Sequence, residues 1–216
     1  MWIRRALHLS AIACAITVAA SQATADTSVL PDDPTARRTA SQRGHLWRVA
    51  TWGATSLIGG AIAATALDDQ RQPLWRGFAV QSAAWGAVNL GIGASGLLFM
   101  KAPTRGAPWP AVHRAERRYH DILLFNMGLN VGYVAIGATA VVASYCGVTS
   151  PRAWRGHGAA IIVQGAALLA LDGYALLDSR RRLTWLTDLR PAPLLFVDSV
   201  TSSPTPVWGA MLSGRW

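Results

Sequence analysis

Asp172 is the residue with the most chemical potential in this sequence. It stands in RGHGAAIIVQGAALLALDGYALL, where it is the one acid of a long apolar stretch. A carboxylate inside such a stretch is a candidate proton or cation site, because an isolated charge there is expensive unless it has a partner or a task. Neighbouring runs carry side-chain amides that could serve it: Gln81 and Asn89 in the second, Asn126 and Asn130 in the third, and Gln164 beside it in the fourth. With Asp172 they make a candidate intramembrane polar cluster. The competing reading is that these groups hydrogen-bond one another and fix packing. The packing reading is favoured, since no Lys or Arg within an apolar run offers Asp172 a counter-charge.

Other constellations are weaker. His113, Glu116 and His120 in HRAERRYHD fall on one helical face and have the ligand types of a zinc site. Arg114, Arg117 and Arg118 surround them with positive charge, which opposes a metal cation. GIGASG at 91–96 spells a dinucleotide fingerprint with Glu116 downstream. That motif requires a strand, a tight turn and a helix start, whereas here it sits in a long apolar helical pattern. No apolar run carries the paired histidines of a membrane haem. Scattered hydroxyls and one cysteine outside the N-terminal apolar segment, Cys146, make no catalytic triad or disulfide. No metal, cofactor or enzymatic activity is expected.

The elements that must position these residues are helices. Of 216 residues, 51% are hydrophobic and 14% charged, against roughly 25% charged in ordinary soluble domains. The charges are confined to short segments between four apolar runs, at about 49–66, 78–99, 122–146 and 158–177. Each run is about long enough to cross the hydrocarbon core of a bilayer as a helix. The first, rich in Ala, Gly and Thr, is the most marginal of the four. Trp47, Trp75 and Trp154 precede three runs, Trp109 lies in the long loop and Trp185 follows the last run, as interfacial indoles do. At about 100° per residue, Asn126, Asn130, Tyr133 and Gly137 share a face. Gln81, Trp85 and Asn89 form a narrow arc, as do His157, Gln164 and Asp172. Polar groups cannot be left facing lipid, so these arcs should turn inward and bond across helices. Ala87 with Gly91, and Gly128 with Gly132, are small-xxx-small pairs, so Gly91, Gly128 and Gly132 are expected to let helices approach closely. A weak repeat matches Arg76-Gly77 to Arg155-Gly156 and Val80-Gln81 to Val163-Gln164, which would make the second and fourth helices parallel.

The ends read differently. Arg4-Arg5, the apolar stretch from Ala6 to Ala20 and Ala23-Thr24-Ala25 have the pattern of a cleavable signal peptide, 1–25. A polar leader, 26–46, a four-helix membrane bundle, 47–182, and a Pro-rich apolar tail, 183–216, follow. The formal net charge of +9 does not suggest nucleic acid, because the cations gather at the ends of apolar runs. Topology signals conflict. Export would put fourteen Lys/Arg outside against four inside, the inverse of the usual bias. A signal that overrides the bias, an N-terminus kept inside, and a periplasmic or outer-membrane-associated bundle all remain open.

WGAVNLGIG, ERRYHDILLFNMGLNVGYVAIGA and RGHGAAIIVQGAALLALDGYALL together resemble the signature blocks of an uncharacterised bacterial family, a domain of unknown function. The resemblance spans about 37–182. It implies a small exported or membrane helical protein and brings no activity with it. In the family that the chain resembles, the block of the third helix often carries an acid where this chain has Asn130. The expected protein is all-α: a transmembrane four-helix bundle behind a signal peptide, in the bacterial cell envelope with the inner membrane favoured. Its expected role is non-enzymatic, of structural or interaction type, with the lipid bilayer, itself or an envelope protein as partner. The alternative is a small ion- or proton-coupled transporter using Asp172 and the neighbouring amides.

Overall fold

A computed structural model describes residues 33–101 and 106–188. The signal-peptide reading, the start of the leader and the tail beyond 188 lie outside the described residues. Four helices account for nearly everything described: α1 (Pro34–Ala66), α2 (Pro73–Leu98), α3 (Trp109–Ala143) and α4 (Pro151–Asp188). No strand occurs among the described residues. Each helix has proline in its first two positions, where the missing N–H costs nothing and the fixed φ is already helical. The Asp33 side chain caps α1 by accepting from the Thr35 N–H at 2.9 Å. In the α1–α2 turn, Asp68 accepts from the N–H groups of Gln70 and Arg71. Gly147 and Ser150, both with positive φ, turn the chain between α3 and α4.

The chain forms two antiparallel hairpins, α1 with α2 and α3 with α4. They join mainly through α4, which packs on all three other helices. Backbones approach closely at glycines. A Cβ on Gly60 would lie 2.6 Å from the Ala79 carbonyl oxygen, and Gly53 and Gly86 face each other's helix more tightly still. Gly137 and Gly158 do the same between α3 and α4. Gly77 meets Ala153 while Gly156 meets Leu74 and Phe78, so α2 and α4 cross where the weak repeat aligned them, and they run parallel.

The packing glycines are not those expected. Gly91, Gly128 and Gly132 have open space where a Cβ would go, and all three are exposed on the outer face. The reason is angular. Gly91 lies about 200° round the helix from Asn89, whereas Gly86 and Gly93 lie within about 60° of it. Asn89 faces inward, so Gly91 faces out. The same holds around Asn130, with Gly128 and Gly132 opposite it and Gly137 beside it.

Three helices, α1, α3 and α4, are long and apolar enough to cross a membrane. The marginal one is α2, not α1: Gln81, Ser82, Trp85 and Asn89 lower its hydropathy, and the first run regains it through Ile58, Ile62 and their neighbours. The outside is oily, with Ile58, Ile62, Ile92, Phe125, Val131, Ile136, Val142 and Leu177 all exposed. Two boundaries also differ from expectation. Helix α1 begins at Pro34, so the whole second half of the leader is helical, and α4 runs on to Asp188. Because Gly96 near the end of α2 faces Leu46, the first three turns of α1 have no α2 beside them. There α1, α3 and α4 continue together as a three-helix head.

Candidate functional site

The buried face of α4 carries a polar residue about every two turns: His157, Gln164, Asp172, then Ser179 with Arg182 close by. Each meets partners from another helix, so the polar interior is a column of separate clusters.

At the end opposite the head, His157 Nδ1 lies 3.2 Å from Gln81 Oε1, within hydrogen-bond distance. The next cluster is uncharged. Gln164 Oε1 accepts from the Trp52 indole N–H at 2.7 Å and from Asn89 Nδ2 at 3.2 Å, while Gln164 Nε2 donates to Ser56 Oγ at 3.1 Å. Asn89 is 1% exposed and would be costly there without a partner. The bond to Gln164 answers why an apolar stretch of α2 holds an asparagine: it ties α2 to α4.

Asp172 follows, 5% exposed. Its Oδ2 accepts from Asn130 Nδ2 at 2.6 Å, and its Oδ1 is 3.1 Å from His45 Nε2 on α1. The carboxylate therefore has an imidazole as counter-group, which the search for Lys and Arg missed. His45 Nδ1 is buried with no hydrogen-bond partner, so the ring reaches Asp172 through Nε2 alone.

The last cluster sits in the head. Glu116, 1% exposed, accepts from Ser179 Oγ at 2.6 Å and takes Arg182 on both oxygens, from Nη2 at 3.0 Å and Nε at 3.1 Å. Arg182 Nη1 also donates to Asp178, which accepts from Ser41 Oγ of α1 at 2.6 Å. Burial pulls the Arg182 guanidinium down, and the hydrogen bonds and charges of Glu116 and Asp178 more than reverse it, so it stays protonated. Beside it, burial holds the Tyr119 phenol above its ordinary value.

Of the expected cluster, Gln81, Asn89, Asn130, Gln164 and Asp172 all turn inward, but in three groups. Asn126 is half-buried and joins none of them. His113 stacks on Trp109, and Glu116 is turned into the bundle and held by Arg182, so the His113–Glu116–His120 face does not gather into a ligand set. Among the described residues no group of three such side chains is gathered. GIGASG lies wholly within α2, without the strand and turn that a dinucleotide site needs. Sequence reasoning missed His45, Ser41, Ser179 and Arg182. The stripe itself pointed to Ser179, seven residues beyond Asp172 as Gln164 is seven beyond His157.

Buried polar clusters joining helices of membrane length define the class: an all-helical bundle with three candidate spans. Residues 48–173 match the model of a family of unknown function, DUF6992, and the chain belongs to that family. The matched segment holds the uncharged knot, Asp172 and Glu116; His45 and Arg182 fall just outside it. No curated protein and no solved structure matches the chain.

Proposed function

We propose that this chain is a non-enzymatic membrane protein of the bacterial cell envelope, of structural or interaction type. The carrying observation is the knot of Trp52, Ser56, Asn89 and Gln164. From Trp154 to Leu177, two exposed large apolar residues that bracket the apolar run of α4, the helix rises roughly 34 Å, close to the thickness of a bilayer core. Gln164 falls near the middle. The centre of the apolar girdle is thus an uncharged set of donors and acceptors matched to one another, which suits a joint between helices better than a path for ions. Asp172 lies roughly 8 Å inside the head-side edge at the usual helical rise, not at the centre.

A second reading rests on the His45–Asp172 pair: an imidazole and a carboxylate in contact form a proton-binding unit, as a small proton-coupled transporter would need. Reconstitution into liposomes enclosing a pH-sensitive dye separates the two. The first reading expects no proton flux above empty liposomes, and crosslinking in cells that captures a second copy or a defined envelope protein. Flux that Asp172→Asn abolishes, in a variant that still folds, would establish the second reading instead.

A further inference from the structure

The two ends of the bundle differ in charge. Residues 33–48, 101, 106–121 and 172–188 make up the head end and hold eleven Lys and Arg against six Asp and Glu, every acid counted at full charge. Residues 66–76 and 144–157 make up the far end, with four against two. The packing of the helices fixes this grouping, because α1 and α3 start, and α2 and α4 end, on the head side. Five of the head's arginines also stand at one height. Arg43 on α1, Arg117 and Arg118 on α3, and Arg180 and Arg181 on α4 are all exposed, and none is in an ion pair among the described residues. Each lies roughly 4–8 Å beyond the exposed apolar residue that borders the girdle on its own helix, which is Trp47, Ile122 or Leu177. That interval is the headgroup layer, which extends roughly 5–8 Å outside the hydrocarbon core. The acids nearest that height are Asp121 and Asp178, two charges against the five.

We propose that the head is the cytoplasmic end of the protein, and that these five arginines seat it on the anionic headgroups of the cytoplasmic leaflet. Orientation in a membrane follows the Lys and Arg near the ends of the spans, and acids count little. Eleven against four puts the head inside. A guanidinium at headgroup height is drawn by the negative surface potential of that leaflet, and its fork matches lipid phosphate oxygens. The exposed Trp47 sets an indole at the same border, as interfacial anchors do. The α1–α2 and α3–α4 turns then face the periplasm. The start of α1 lies inside, against the export reading of residues 1–25. The proposal rests on the membrane reading above and gives it a direction and a lipid class.

The test uses the full chain. For the direction, Gln72→Cys or Asp188→Cys is introduced singly into a chain carrying Cys14→Ser and Cys146→Ser, and an impermeant thiol reagent is added to cells opened only at the outer membrane. Gln72→Cys is expected to label at least about tenfold more than Asp188→Cys, as the cation bias requires. Labelling of Asp188→Cys alone would overturn the proposal and leave the membrane reading standing. Labelling of both would sink the two together. For the lipid, the wild type is reconstituted into vesicles, and the association of spin-labelled phosphatidylglycerol and phosphatidylcholine with the protein boundary is compared. Phosphatidylglycerol should associate about fivefold more strongly, as a single cation near the surface confers. Replacing all five arginines, as Arg43→Gln, Arg117→Gln, Arg118→Gln, Arg180→Gln and Arg181→Gln together, should bring the two lipids within about twofold of each other, since the local charge is then gone. The control pair Arg71→Gln and Arg152→Gln, at the far end, should leave the preference in place. Equal association of the two lipids with the wild type, or equal loss in the control pair, would overturn the seat on anionic lipid. Should the five-residue variant fail to insert, the wild-type labelling and the wild-type lipid preference still decide.

Discussion

Asp172, Asn130 and His45 form one unit from three helices, and removing the carboxylate strands two buried donors at once. Asp172→Ala is therefore expected to lower stability by roughly 1–3 kcal/mol, the cost of leaving buried polar groups unpaired. Asp172→Asn should cost less, since its carbonyl oxygen can still accept. Thermal unfolding in detergent would rank the two. Tyr119 offers a test of opposite sign. Its hydroxyl is buried and unbonded, so Tyr119→Phe should leave stability unchanged or raise it. Its folded-state pKa is raised, so the unfolded chain loses the proton first. Stability should then fall as pH rises above about 10, and this component should vanish in Tyr119→Phe. Unfolding midpoints of the two proteins across alkaline pH would show it.

At the scale of the element, the helices are held by which glycines face inward. Gly86→Ala would drive a methyl group into the α1 backbone at Leu57 and is expected to cost about 1–3 kcal/mol or more. Gly91→Ala, on the open face of the same helix, should be neutral or stabilising by roughly 0.5–1 kcal/mol, as alanine is the better helix former. Reversed effects in denaturation curves would mean that α2 is rotated in the native bundle. Four helices and the inward polar arcs were legible in the sequence, because hydropathy and the 100° repeat carry that information directly, but the helices reach past the apolar runs, to Pro34 and Asp188, where that signal stops. Choosing Gly91, Gly128 and Gly132 followed a spacing rule that ignores orientation. Asn89 and Asn130 had already fixed which way each helix faces.

For the whole molecule, the column of polar clusters along α4 divides the protein into an apolar girdle and a charged head. The head depends on Glu116 and Arg182, which join α3 to α4 and, through Asp178 and Ser41, to α1. Arg182→Ala would leave Glu116 buried without its counter-charge, at a cost of about 3–5 kcal/mol. Limited proteolysis should then cut the head first, while the girdle stays intact. The head was hard to read from sequence. Its partners come from residues 41, 116, 178, 179 and 182, and no local pattern in HRAERRYHD shows that Glu116 turns inward to an arginine far along the chain. His45 was hidden for the same reason: its pairing with Asp172 exists only once α1 lies against α4.

The membrane-spanning bundle is tested most directly by labelling intact cells. Single cysteines would be placed at Gln72, in the α1–α2 turn, and at Asp188, at the end of the head, in a chain lacking Cys14 and Cys146. The two positions lie at opposite ends of the bundle, so an impermeant thiol reagent is expected to label one and leave the other until the inner membrane is opened. Labelling of both sites in cells opened only at the outer membrane would contradict the account, because a bundle reached at both ends does not cross the inner membrane.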